Sequence, residues 1–326
     1  MNTLIVVSGG DAPGINTALA RYTTLAAAQG NTVAGAVGGF AGLLEEQIVT
    51  LEPGQMLPWA GQPGSVLPTS RVPVLSTPEA RERLAAILAR RAVDNMVLFG
   101  GDGTLRHVAP LLRDWGIACI GLPTTIDNDV SGTEQTLGFD SACNYAYQTV
   151  DGILATAHAL RDRIFMIETL GGQTGFLALA IASGAGAHAV LVPEFGYDNA
   201  WLAQRLQAAV GRAGYALLVL SEGVAACRTL AEEIPQWTGV RVRDTRLGHA
   251  QRGAKPSHRD RVLAADMARA AYRALCDGIT AGTVVVRGGQ VTLHTDPLED
   301  LPRRQPDRDL YGLINGFGGS DGFPGN

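Results

Sequence analysis

Hydrophobic residues in this chain fall in short continuous runs, most of them closed by a glycine-rich turn and followed by a helix-like segment. Thr3–Val7, Asn95–Phe99, Ile164–Ile167 and Ala216–Leu220 are largely apolar without alternation, which predicts parallel strands buried on both faces. Val33–Val37, Gly116–Leu122, Ala189–Val192 and Val284–Val286 read as further strands. Helical periodicity is expected over Thr17–Gln29, 79–92, after Leu105 to Asp114, 138–160, after Gly175 to Ser183, over Trp201–Val210 and over 259–275. Residues 45–75 read as loop, because Pro53, Pro58, Pro63, Pro68 and Pro73 interrupt any regular hydrogen-bond ladder. The glycine-rich tail Gly316–Asn326 is expected to be loose. The succession predicts an α/β protein with mainly parallel sheets and flanking helices.

Three early strand ends carry polar chemistry. Thr3–Val7 runs into Ser8-Gly9-Gly10-Asp11-Ala12-Pro13-Gly14-Ile15-Asn16, Asn95–Phe99 into Gly100-Gly101-Asp102-Gly103-Thr104, and Gly116–Leu122 into Pro123-Thr124-Thr125-Ile126-Asp127-Asn128-Asp129. Free N–H groups at such turns suit phosphates, and carboxylates suit a metal or a substrate proton. If the third stretch is extended, Thr125, Asp127 and Asp129 share one side of it. Taken alone, it reads equally as a solvated Asp/Asn turn. Neither the Walker pattern nor G-x-G-x-x-G is present. Three such loops at successive strand ends point to a polyphosphate site at the carboxyl edge of a sheet. Further on, Arg241, Arg243, Arg246, His249, Arg252 and Lys255 surround one acid, Asp244; such a cluster suits a phosphate monoester or a solvated basic surface.

The bulk properties narrow the partners. With 326 residues the chain has room for one large or two modest domains. A net charge of −5 without a basic block argues against nucleic acid. No apolar run approaches the roughly 18 residues of a membrane span, and the start lacks the basic and cleavable features of a signal peptide. A cytoplasmic protein with no membrane contact is expected. Cys119, Cys143, Cys227 and Cys276 have no paired spacing, so neither a zinc frame nor a disulfide frame is expected.

The four segments Gly9–Asn16, Gly100–Thr104, Pro123–Asp129 and Leu247-Gly248-His249-Ala250-Gln251-Arg252-Gly253, in that order and at that spacing, resemble the ATP-dependent 6-phosphofructokinases of the PfkA type over nearly the whole chain. The resemblance implies two Rossmann-like domains, 1–137 with 251–300 for nucleotide and 138–250 with 301–326 for sugar phosphate, and an active site in the cleft between them. It implies transfer of a phosphoryl group from Mg²⁺-ATP to the 1-hydroxyl of fructose 6-phosphate. ATP phosphates would lie over Gly10, Arg71, Gly101, Asp102, Gly103 and Thr104, with Asp102 towards Mg²⁺. Asp127 would be the base, Thr125 would orient the transferred group, Arg71 would neutralise its charge and Asp129 would support base or metal. Leu170, Gly171, Gly172, Glu222, His249 and Arg252 would line the sugar. Arg163 and Arg243 would reach the sugar phosphate from a neighbouring subunit of a homotetramer with shared sites.

The sequence departs from that pattern in three places. Gly172 stands where the family has an arginine, and a charge-assisted hydrogen bond contributes about 1.5–3 kcal/mol. Thr124 stands where ATP-dependent members have glycine and the pyrophosphate-using branch has lysine, while Gly103 favours ATP. Of the basic effector residues only Arg21 remains; Leu25 and Glu52-Pro53-Gly54-Gln55 supply no matching cation. Three readings follow: an ATP-dependent fructose 6-phosphate kinase; a kinase of another sugar phosphate or a pyrophosphate-using variant; and a non-catalytic phosphosugar-binding regulator, against which the retained Asp127 and Asp129 argue.

Overall fold

The computed structural model describes residues 1–70 and 74–317, and the chain forms two compact units, 1–141 with 252–304 and 142–251 with 305–326. The fold is α/β. In the first unit the strands are β1 (Asn2–Val7), β2 (Thr32–Ala36), β3 (Ile48–Thr50), β4 (Asn95–Gly100), β5 (Ala118–Thr125) and the two-residue β6 (Leu137–Gly138). The second unit contributes β7 (Arg163–Thr169), β8 (Ala189–Leu191), β9 (Tyr215–Ser221) and β10 (Arg241–Arg246), and the chain then returns to the first for β11 (Ala281–Arg287) and β12 (Gln290–His294).

The first sheet runs β12-β11-β5-β4-β1-β2-β3, with β6 beside β5, and only the two edge pairs are antiparallel. Leu4, Ile5, Val6, Met96, Val97, Leu98 and Phe99 are all fully buried, as expected of central parallel strands covered on both faces. The second sheet is wholly parallel in the order β10-β7-β9-β8. Its strands pack through Ile164, Met166, Leu218 and Leu220 against Leu202, Leu206 and Ile234.

Three expectations are corrected. Residues 45–75 are not simply loop: β3, the short helix Pro53–Met56 and the 3₁₀ turn Leu57–Trp59 lie within them, because a proline at a first helical position loses no bond. The helix expected to run to Asp114 is two helices, Asp102–His107 and Ala109–Asp114, with Pro110 unable to donate across the joint. The basic stretch from Arg241 to Lys255 contains a strand that no apolar run predicts. Its first part is the exposed edge strand β10, whereas Arg252 and Lys255 belong to the first unit. Of the glycine-rich tail, residues 318–326 lie outside the described residues.

One buried carboxylate fixes the loop behind β5. Asp260, fully buried, accepts from Gly138 N (3.1 Å), Ser141 N (2.8 Å) and Ser141 Oγ (2.5 Å). Ser257, which caps the helix His258–Cys276, donates its own N–H to Ser141 Oγ at 2.9 Å. Asp260→Ala strands three donors, so a loss of about 2–4 kcal/mol is expected; Asp260→Asn keeps part of the set and loses about half of that. Urea unfolding of both variants checks the order.

Candidate active site

Parallel pairing sets the three polar loops side by side. β1 pairs with β4 from Thr3↔Asn95 to Val7↔Phe99, and β4 with β5 from Asn95↔Ala118 to Gly100↔Pro123, so their carboxyl ends form one edge. Ser8 N donates to Phe99 O at 2.9 Å, and Thr104 Oγ1 lies 3.4 Å from both Ser8 O and Ser8 Oγ. A Cβ on Gly100 would stand 2.5 Å from Thr104 Cβ, so the close return of the second loop requires glycine there. A Cβ on Gly101 would meet Thr125 Cβ at 3.4 Å, which places the second loop against the third. At Gly103 a Cβ would have no neighbour within 4 Å among the described residues, so the loop faces open space. Ser70 O accepts from Gly9 N at 3.1 Å and Thr69 Oγ1 donates to Gly9 O at 2.9 Å. The chain leading to Arg71 therefore lies beside the first loop; Arg71 itself is outside the described residues.

The third loop turns a sharper corner than alternation predicts. Thr125 is still strand, and its Oγ1 accepts from Asp127 N at 3.1 Å. Asn128 then sits in the left-handed region at φ 54, a conformation that asparagine tolerates better than most residues. Asp127 and Asp129 flank this corner rather than sharing one side of an extended segment. Thr136 pins it, donating its N–H to Asn128 Oδ1 at 2.9 Å and its Oγ1 to Thr125 O at 2.6 Å.

Each of the three aspartates has an arginine. Asp102 Oδ1 lies 3.3 Å from Arg106 Nε, with both side chains largely buried. Asp127 Oδ1 lies 3.7 Å from Arg252 Nη2, and Arg252 Nη1 donates to Asp11 O at 3.2 Å. Arg304 donates to Asn128 O at 2.6 Å and is electrostatically coupled to Asp129. Burial, with the charges of Asp127 and Asp102 added, pushes the Asp129 carboxyl up to about 6. Arg304 partly offsets that rise.

In the second unit the strand ends again carry the expected residues. After β7 come Leu170, Gly171 at φ 141 and Gly172 at φ 59. Gly172 N donates to Glu222 Oε1 at 2.9 Å, and Leu170 N to Gln251 Oε1 at 2.8 Å. Glu222 follows β9, and His249 lies in the 3₁₀ turn Gly248–Gln251 after β10. Arg246 Nε meets Glu168 Oε2 at 3.3 Å, while burial raises the Glu168 carboxyl. Arg163 is different: it opens β7, six residues before Thr169, so it stands about 20 Å along the strand from the end that leads into the Gly171–Gly172 loop. Arg243 pairs with Phe165, also in the amino-terminal half of β7.

The phosphofructokinase family model matches residues 2–275. The chain belongs to the phosphofructokinase family. It is 34% identical over 299 residues to the ATP-dependent 6-phosphofructokinase of Coxiella burnetii, covering 91% of each chain. It is 36% identical over 306 residues to the ATP-dependent 6-phosphofructokinase 1 of Thermus thermophilus, covering 93% of this chain and 94% of the other. Among solved structures, the pyrophosphate-dependent phosphofructokinase of Marinobacter aquaeolei matches with a TM-score of 0.81 at 22% identity, over 99% of this chain and 94% of that one. This last likeness concerns the fold alone.

Beyond the phosphofructokinase motifs, sequence reasoning passed over Arg106, Arg304 and Asp260. The first two lie in no motif; Arg106 meets Asp102 one helical turn away, an i,i+4 spacing that the sequence does show, but its bond to Ser131 and that of Arg304 to Asn128 span 25 or more residues. Asp129 yields a pH test. Its ordinary value is 3.8 and its folded value about 6, so between these pH values the folded chain holds a proton that the unfolded chain has lost. Ionised Asp129 therefore opposes folding above about pH 6, and below about pH 4 the penalty is absent. Asp129→Asn is expected to be about 2–3 kcal/mol more stable than the parent at pH 8. The gain should close towards pH 4, as read by denaturant unfolding across that range.

Proposed function

We propose that this chain transfers the terminal phosphoryl group of Mg²⁺-ATP to the 1-hydroxyl of fructose 6-phosphate, forming fructose 1,6-bisphosphate. The coarser reading, a phosphotransferase acting on a sugar phosphate with ATP or pyrophosphate as donor, follows from family membership. The observation that carries the finer one is the convergence of three strand-end loops on one sheet edge, with Asp127 at the third. Gly10, Arg71 and Gly101–Thr104 take the donor phosphates through backbone N–H groups and one guanidinium. Asp127 accepts the proton of the sugar hydroxyl, with Arg252 beside it. Thr125, whose Oγ1 already holds Asp127 N, orients the transferred group.

Among the described residues no three His, Cys, Asp or Glu side chains are grouped to hold an ion by themselves. Asp129 nevertheless feels the charge of both Asp127 and Asp102. Such a donor set fits Mg²⁺ that arrives on the nucleotide with phosphate and water ligands, taking Asp102 from the protein. When bound, the ion neutralises charge on the transferred group.

The two compact units support a reading as two Rossmann-like domains, one for the nucleotide and one for the sugar phosphate. Leu170, Gly171, Gly172, Glu222 and His249 hold the sugar, with Arg252. Arg163 and Arg243, far along the strands from that group, serve a neighbouring subunit's sugar phosphate in a cytoplasmic homotetramer. A second reading, a different sugar phosphate as acceptor, is favoured by Gly172, whose place in the loop adds no cation and presents only an N–H to Glu222.

An acceptor screen with ATP and pyrophosphate in parallel tests both readings; a folded protein inactive on every sugar phosphate removes them. Asp127→Asn is expected to lower kcat by about 10²–10⁴-fold with KM within a few-fold. Gly172→Arg should raise kcat/KM for fructose 6-phosphate by about tenfold or more, since an arginine in the left-handed region costs only about 1–2 kcal/mol. Unchanged activity in that variant counts against the altered-acceptor reading.

A further inference from the structure

We infer, resting on the phosphoryl-transfer reading, that Arg304 is a positioning residue: without touching substrate, it holds the Asn128 corner that sets Asp127 and Asp129 in place. Asn128 is buried and left-handed, so its main chain has left the strand ladder and needs other partners. Its side chain is taken by Thr136 N at 2.9 Å and donates to Glu134 O at 3.4 Å. Its carbonyl receives Arg304 Nη1 at 2.6 Å, while Arg304 Nη2 reaches Glu134 O at 3.5 Å. One guanidinium thus bridges both ends of the 128–134 loop, and Asp129 is the first of the two carboxylates whose charge acts on it.

The backbone that presents Arg304 is itself tied down. Ser131 Oγ donates to Pro302 O at 2.9 Å, and Arg106 Nη1 donates to Glu299 O at 3.1 Å and Leu301 O at 3.2 Å. Arg106 Nη2 closes the circuit on Ser131 Oγ at 2.6 Å. Leu298 packs with Leu105 and Val130, and Gly132, at φ 78, leaves no room for a Cβ beside Leu301 Cδ1 at 2.9 Å. Segment 298–304 is a strap laid along the catalytic loop, and its last residue supplies the bond to the corner. Loss of that bond frees rotation about Asn128, which moves Asp127 and Asp129 relative to each other but leaves the glycine loops unchanged. A displacement of about 1 Å at a reacting group lowers the rate by about 10²-fold.

The test compares Arg304→Met, Arg304→Lys and Asn128→Gly with the parent. The measurements are steady-state kinetics on the best donor and acceptor, and amide exchange at Thr136 and Asp129. Arg304→Met is expected to lose about 10–100-fold in kcat with both KM values within about threefold, the signature of a lost transition-state arrangement rather than lost binding. Arg304→Lys should regain several-fold, because an ammonium reaches one acceptor but cannot bridge two. Asn128→Gly should also lose kcat, although glycine keeps the left-handed backbone accessible. Exchange at Thr136 should quicken about tenfold or more in Arg304→Met, from loss of one charge-assisted bond. An active parent whose Arg304→Met variant keeps full kcat below its melting temperature, or whose KM alone rises, overturns the assignment. So does unchanged exchange at Thr136. A parent inactive on all sugar phosphates removes the proposed function and Arg304's catalytic positioning with it.

Discussion

Crowding of negative charge at one sheet edge is the constraint around which the first unit is arranged. Asp102, Asp127 and Asp129 come from the ends of neighbouring strands, and parallel pairing leaves them no way to separate. Like charges so placed oppose one another most strongly when they are partly buried. The rise of the Asp129 carboxyl to about 6 registers its burial first and that opposition second. Arg106, Arg252 and Arg304 offset it from three different parts of the chain. The guanidinium groups thereby let the carboxylates stand together at one edge of the folded sheet.

The glycines make the same point in steric terms. A phosphate held by main-chain N–H groups must approach the backbone closely, and side chains at the turn would stand in its place. Gly100 is required by Thr104, Gly101 abuts Thr125 and Gly103 opens to space. Of these, only at Gly100 would a Cβ clash; Gly101 has ordinary contact distance and Gly103 has free space around it among the described residues. In the second unit, Gly171 and Gly172 both take positive φ values, and Glu222 receives the freed N–H of Gly172. A loop of this kind carries no side-chain charge of its own.

The strand-turn-helix succession was legible because buried parallel strands write themselves as continuous apolar runs. The loops Gly9–Asn16, Gly100–Thr104 and Pro123–Asp129 were legible because they fall at the ends of those runs. β10 was not, since an exposed edge strand written Arg-Val-Arg-Asp-Thr-Arg has no apolar face to announce it. The left-handed turn at Asn128 was not either, because Asn-Asp is compatible with a turn and with an extended end. Arg304 lies 176 residues from its partner carbonyl, and no local pattern connects the two.

By itself, then, the sequence determined the α/β class, the strand ends that carry glycine-rich polar turns, and the family to which the chain belongs. Those features depend on neighbours along the chain, where periodicity, glycine and proline act directly. The tertiary structure alone decided that Arg252 faces Asp127, that Arg304 acts on Asp129, and that a strap at 298–304 holds the Asn128 corner. These are contacts between segments distant in sequence, settled by strand order, register and the need of every buried polar group for a partner.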